Sequence, residues 1–156
     1  MARKPLAVER AIEILEKATV GRLGTARDGE PYVVPLSYVY YREKIYFHSN
    51  PNGRKIANLV ANPRVCFQVD DEATVLARPR ACNFTVHYYS VIVSGTARVV
   101  EEPELRLAAL QALVNKYDPQ GTVPPLTMEE LDKDSLAIVE ISPEVVSGAD
   151  HARLPV

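Results

Sequence analysis

The sequence predicts a mainly β protein, an antiparallel sheet closed or nearly closed on itself, with few helices. Short runs rich in β-branched and aromatic residues recur at hairpin spacing, broken by turn signals such as Asp28-Gly29. Helical periodicity is confined to a few short stretches. The 156 residues contain no internal repeat and no dividing linker, and they suffice for one domain with a real core but not for two. Strands at this density around few helices pack as a barrel-like sheet.

The first element expected is an amphipathic helix, with Val8, Ile12, Leu15 and Ala18 on one face and Glu9, Arg10, Glu13, Glu16 and Lys17 on the other. A strand over 19–26 enters the Asp-Gly turn, and a long strand over 31–41 leaves it. In that second strand Tyr32, Val34, Leu36, Tyr38 and Tyr40 share a face. A turn at Arg42-Glu43 leads to a strand over 44–47, completing a three-strand meander. A helix over 54–61 ends at the breaker pair Asn62-Pro63, followed by a strand over 64–69 and an acidic loop, Asp70-Asp71-Glu72. Residues 73–83 follow no clear pattern. The longest β-rich run covers 88–100, where Gly95 marks a bulge or bend. Pro103 opens a helix to about Tyr117 with Leu107, Leu110, Leu113 and Val114 as its buried stripe. A Pro/Gly-rich loop over 118–127 and a strand over 136–141 come last, and 143–156 reads as a tail beyond a core of 19–142.

Composition narrows the function. A formal net charge of −2 with dispersed basic residues indicates no nucleic-acid or anionic-membrane partner. No apolar run is long enough to span a bilayer, and no apolar stretch follows Arg3-Lys4 as a signal peptide would require, so a cytoplasmic location is expected. Cys66 and Cys82 match no zinc or disulfide pattern and are expected to be buried free thiols. His87 and His151 have no partners at meaningful spacing, and no metal site is expected.

The stretch with chemical content runs from Phe47 through His48-Ser49-Asn50-Pro51-Asn52-Gly53 to Arg54-Lys55. A strand passes through a short polar loop straight into a helix, whose first turn presents free N–H groups and the positive dipole end. Arg and Lys at that position oppose the dipole, where Asp or Glu would be favoured. An anion such as a phosphate explains them, with the Ser49 hydroxyl as a further donor. His48 ends the strand beside this loop. At 88–95, Tyr88, Tyr89 and Ser90 place hydroxyls at the start of a strand that either enters the core or delivers a hydroxyl to a ligand.

These pieces, in this order, resemble the FMN-binding split-barrel family typified by pyridoxamine 5′-phosphate oxidase. The shared register is His48-Ser49, then Arg54-Lys55, Leu59 and Asn62-Pro63-Arg64-Val65, within a match over about 19–100. The wording from Gly21-Arg22-Leu23-Gly24-Thr25 to Phe47-His48-Ser49 is similar to the nitroimidazole-resistance flavoproteins. The resemblance implies an antiparallel split β-barrel of about six strands in Greek-key order with flanking short helices. It also implies FMN as cofactor, its phosphate held by Ser49, Arg54 and Lys55. The strand formed by Tyr32, Val33, Val34, Pro35, Leu36 and Ser37 would line the isoalloxazine with its backbone, Ser90 would be a polar flavin contact, and His48 the catalytic candidate. A homodimer is implied, with the cofactor between two subunits.

The family's vitamin oxidases carry an Arg- and Trp-containing C-terminal segment. Here the chain has no Trp, so the vitamin-oxidase activity is not expected. The resulting expectation is an FMN-dependent oxidoreductase acting on a small organic substrate, with NAD(P)H as a possible electron donor. Flavins carry their own redox chemistry, so the lack of a catalytic triad is expected. Two other readings stay open: a haem- or deazaflavin-binding protein on the same barrel, with His48 as a haem ligand, and a flavin-binding module without turnover.

Overall fold

The computed structural model describes residues 4–77, 79–80, 85–132 and 134–151. Its strands are β1 (Lys4–Pro5), β2 (Val20–Arg27), β3 (Glu30–Ser37), β4 (Val39–Tyr41), β5 (Lys44–Ser49), β6 (Arg64–Leu76), β7 (Thr85–Val99) and β8 (Ala137–His151). The helices are α1 (Val8–Lys17), α2 (Arg54–Ala61) and α3 (Pro103–Tyr117), with a 3₁₀ turn at Met128–Leu131. All strand pairings are antiparallel, in the order β3-β2-β6-β7-β8-β5-β4, with β1 beside β8. The antiparallel neighbours β6, β7 and β8, the last two connected through α3, with β5 beside β8, form a Greek key. The two outermost strands, β3 and β4, are consecutive in the chain, so the sheet curls and their ends adjoin at Tyr38 while the β3 edge stays unpaired among the described residues. Among the described residues no helix is long and apolar enough to cross a membrane.

The expected turns are present. Asp28 (φ 52°) and Gly29 (φ 81°) form the β2–β3 hairpin, and Arg42 (φ 50°) and Glu43 (φ 62°) form the β4–β5 hairpin without a glycine. Four expectations about the strands change. The long strand over 31–41 breaks at Tyr38, because the Tyr117 hydroxyl takes over that residue's backbone groups: it accepts from Tyr38 N–H (3.0 Å) and donates to Tyr38 C=O (2.8 Å). The acidic segment at 70–72 is strand, not loop. Asp70 pairs with Ser90 and Asp71 with Tyr89, and Arg22 bonds the Asp70 carboxylate on the open face of the sheet. Residues 143–151 are not a tail but the second half of β8, carried along by the length of β7; 152–156, and Cys82, lie outside the described residues. The described residues form eight strands, not about six. Gly95 does mark a bulge: the β7–β8 register shifts there, and a Cβ would sit 2.1 Å from the Ser142 carbonyl oxygen.

Two cores hold the sheet. The interior of the curl is filled by Leu23, Tyr38, Ile45, Phe47, Phe67, Val91, Val93, Val139 and Ile141, capped by α1 through Ala11, Ile14 and Leu15 and by α2 through Ile56 and Leu59. On the other face of β4, β5 and β8, α3 covers Val39, Tyr46 and Ile138. The buried stripe of α1 is rotated from the expected one, leaving Val8 exposed. In α3 the core face is Arg106, Ala109 and Leu113, while Leu107, Leu110 and Val114 are only half-buried. Arg106 is buried because its guanidinium donates to the carbonyls of Val100, Leu131 and Leu136. A reading that counts every Arg as solvent-facing misplaces the helix by that one residue. Cys66 is exposed, not buried, because the alternation of β6 turns it away from the Val65 and Phe67 side.

Candidate functional site

Strand β5 ends in Ser49, which is buried, and four residues of loop lead into α2. Asn50 shapes the loop: its side-chain oxygen accepts from Asn52 N–H (2.9 Å), and its carbonyl accepts from Gly53 N–H (3.2 Å). The N-cap is Gly53, with no side-chain cap, and a Cβ there would lie 3.3 Å from the Asn50 carbonyl oxygen. The first turn of α2 contains no acidic residue. Among the described residues the N–H groups of Arg54 and Lys55 have no acceptor, and neither side chain has a carboxylate partner. The Lys55 ammonium donates to the Ser49 hydroxyl at 3.1 Å, and that hydroxyl donates to Asn50 C=O at 3.2 Å. The Arg54 guanidinium lies over the Tyr32 ring, 4.5 Å from its centroid.

Two amide side chains fix this arrangement. Asn58 donates to the Thr25 hydroxyl (3.0 Å) and Asn62 to Ala26 C=O (3.0 Å), binding α2 to the β2–β3 hairpin and bringing Arg54 over Tyr32. Next to Arg54, a groove of about 280 Å³ is lined by Arg27, Asp28, Glu30, Ala57 and Asn58. The helix start therefore offers two cations and two free N–H groups, with the Ser49 hydroxyl held between Lys55 and Asn50 C=O, and the groove beside Arg54 carries Asp28 and Glu30 together with Arg27.

β3 lies at the sheet's edge, with β2 as its partner in the sheet. Pro31 and Pro35 have no N–H, so the residues that bond to β2 are Tyr32, Val34 and Leu36. Val33 then directs both its N–H and its C=O to the open edge, flanked by the carbonyls of Pro31 and Pro35. Ser37, at the end of β3, is exposed.

His48 and Ser49 are neighbours on a strand and project to opposite faces. The exposed His48 projects to the α3 side, where with Ser37 it lines a cavity of about 470 Å³ walled by Leu110, Leu113, Val114 and Val123. Ser90 is on neither side of this site. It lies opposite Asp70 on β6, in a polar depression of about 430 Å³ with Gln68, Asp70, Tyr88 and Ile92. The level of Arg54 on the sheet is that of Thr25, beside Val65, so Ser90 is about five residues further along, roughly 16 Å at a strand rise of about 3.3 Å per residue. One chain thus brings Ser49, Arg54, Lys55 and Tyr32 together, sets His48 and Ser37 in a second pocket, and leaves Ser90 apart.

Sequence reasoning did not single out the cavity wall of Leu110, Val114 and Val123. The one available signal was that α3 carries more leucines than a single stripe can bury. Nor did it find the α3 anchor. Tyr117 ties the helix end to Thr19 and Tyr38, and the Lys116 ammonium donates to Ala18 C=O (2.6 Å) while lying 4.1 Å from the Tyr38 ring centroid. Burial lowers the Lys116 ammonium to about 8.

The family described as pyridoxamine 5′-phosphate oxidase matches residues 7–150 of the chain. A solved structure of an FAD-binding protein from Mesorhizobium loti is 30% identical, covers 97% of this chain and 100% of that one, and has a TM-score of 0.70. The structure of a candidate 5-nitroimidazole antibiotic resistance protein from Bacteroides thetaiotaomicron is 21% identical over 96% of this chain and 89% of that one, with a TM-score of 0.78. An uncharacterized protein of Rhizobium meliloti is 33% identical over 61 residues, a match spanning 39% of this chain and 40% of that relative's length.

Proposed function

From the premise that the chain belongs to the pyridoxamine 5′-phosphate oxidase family, we propose that it is an FMN-binding oxidoreductase acting on a small organic substrate as a homodimer, with NAD(P)H as electron donor. The carrying observation is the uncapped start of α2, where Arg54 and Lys55 meet free N–H groups with no carboxylate among the described residues to neutralise them. A terminal phosphate, doubly charged near neutral pH, matches two cations and a hydroxyl. In the groove beside Arg54, Asp28 and Glu30 balance Arg27 and Arg54, so it supplies no surplus cation for a second phosphate, which argues for FMN over the dinucleotide. Flavin binding by the Mesorhizobium relative supports the cofactor class.

Each residue has a distinct task. Lys55, already paired with Ser49, and Arg54, packed on Tyr32, would hold the phosphate. The open edge of β3 offers Val33 N–H between acceptor carbonyls, a pattern suited to the donor-and-acceptor edge of a flavin ring. When bound, the flavin supplies hydride or electron transfer. His48, exposed and lining the α3-side cavity on the face of β5 opposite Ser49, would hold or deliver a proton there.

The homodimer rests on the sheet's uncovered face. Val33, Gly24, Cys66, Ser94 and Val145 form one row across five strands, and Val33 (65%), Val145 (58%), Val20 (49%) and Ile92 (43%) are exposed on that face. A second copy seated there would cover it and would supply Ser90, which one chain holds too far from Arg54 to share a ligand. The direct experiment is titration of flavin-free protein with FMN, FAD and riboflavin, followed by addition of NAD(P)H under anaerobic conditions. Tighter binding of FMN than of the other two, and bleaching of its absorbance, are the expected results; FAD binding tighter than FMN refutes the cofactor assignment.

A further inference from the structure

We propose that the cavity between α3, the 118–123 loop and His48 is the substrate pocket, and that it selects small, ring-bearing, non-phosphorylated molecules with a single hydrogen-bonding group. The proposal deepens the oxidoreductase reading above and rests on it. A volume of about 470 Å³ falls at the small end of ligand pockets, room for one compact ring compound.

The selectivity follows from which polar groups are already committed. Tyr117 lines the cavity, but its hydroxyl is engaged by Thr19 C=O, Tyr38 C=O and Tyr38 N–H. The Asp118 carboxylate accepts from the Thr122 hydroxyl (2.8 Å) and Val123 N–H (2.7 Å), which hold the loop closed and keep the carboxyl below its ordinary value. Asp118 therefore shapes the wall and stays ionised, so its charge further disfavours an anionic ligand. Among the described residues no Lys or Arg lines the cavity, so a phosphate dianion would enter without a counter-charge. The uncommitted polar groups are the His48 imidazole and the Ser37 hydroxyl, both at the sheet end of the cavity. Leu110, Leu113, Val114 and Val123 supply an apolar body opposite them. One polar corner and one apolar wall recognise a ring with a carbonyl, nitro or similar acceptor directed at His48. They do not recognise a phosphorylated amine.

The test uses 4-nitrotoluene as the neutral probe and 4-nitrophenyl phosphate as the charged one, each titrated into the purified protein and followed by amide NMR shifts. The neutral probe should shift resonances of 110–123 saturably and bind at least about tenfold more tightly than the phosphate. Val123→Asp places a charge in the wall from an exposed loop position and should weaken the neutral probe about tenfold, without changing FMN affinity. His48→Ala should weaken it about three- to tenfold. Equal binding of the two probes, no saturable binding at millimolar concentration, or indifference to Val123→Asp overturns the proposal. A change of oligomeric state in Val123→Asp assigns the groove to a second copy and also overturns it. The phosphate reading fails separately, through FMN affinity that ignores Arg54→Ala.

Discussion

Replacing Arg54 or Lys55 by Ala should lower FMN affinity and leave the flavin-free protein as stable as before or more so. The two signs have one origin. Without an anion, both cations oppose the dipole of α2, so removing either relieves about 0.3–1 kcal/mol of unfavourable interaction. Arg54→Ala also forfeits its cation–π contact with Tyr32, at 4.5 Å from the ring centroid and exposed, worth about 0.5–1 kcal/mol. The two terms nearly cancel for Arg54. For Lys55, whose recorded contact is a single hydrogen bond to Ser49, relief of the dipole is offset less. With FMN bound, each substitution removes a charge-assisted hydrogen bond worth about 1.5–3 kcal/mol, a loss of about ten- to a hundredfold in affinity. The double variant should be folded and colourless at micromolar flavin. Riboflavin, lacking the phosphate, should bind weakly to the parent and almost identically to both variants, and added salt should weaken FMN but not riboflavin. The assay is flavin-fluorescence titration of flavin-free protein, with thermal melts of the same samples. FMN affinity unchanged in both variants, or riboflavin losing as much as FMN, refutes the phosphate assignment.

The homodimer should dissociate in the double variant Ile92→Glu/Val145→Glu, which places like charges on the uncovered sheet face; light scattering showing an intact dimer would exclude that face as the interface. Pyridoxamine 5′-phosphate should be a poor reductant, since the 470 Å³ cavity has no cation to receive its phosphate, and rapid hydrogen peroxide release with it as sole reductant contradicts this. Acid should destabilise the protein. The Arg98 guanidinium holds Glu102 at about 2, and Glu140, which burial alone would raise, is held below its ordinary value by Lys44, Arg98 and Tyr46. In the unfolded chain these carboxyls protonate near about 4.3, so their contribution is complete above that pH and is lost as pH falls toward 2. Glu140→Gln, at a side chain 3% exposed, should cost about 1–3 kcal/mol and flatten the acid limb; an unchanged limb in denaturant titrations at pH 3–5 contradicts the assignment.

Local chemistry was legible in the sequence. Asp28-Gly29 specifies a tight hairpin whatever surrounds it, Pro103 and the Asn62-Pro63 pair bound their helices, and Gly95 marks the bulge where a Cβ would meet the Ser142 carbonyl. The step from His48-Ser49 to Arg54-Lys55 is equally local: a strand end, a short loop and a helix start place hydroxyl, cations and N–H groups within one turn of each other. What the sequence could not determine depends on distant partners. The acidic run at 70–72 became strand because β7 was long enough to pair with it, and 143–151 became strand for the same reason. The split at Tyr38 depends on a hydroxyl 79 residues away, and the rotation of α3 on three carbonyls that bury Arg106. Pattern reading assigns polar residues to solvent, whereas a folded chain can satisfy them internally. The separation of His48, Ser49 and Ser90 has the same origin: alternation along β5 turns adjacent residues to opposite faces, and the β6–β7 register holds Ser90 away from the phosphate loop. Spacing along the chain grouped these residues as one site, and only the sheet's pairing decided which of them a single subunit can bring together.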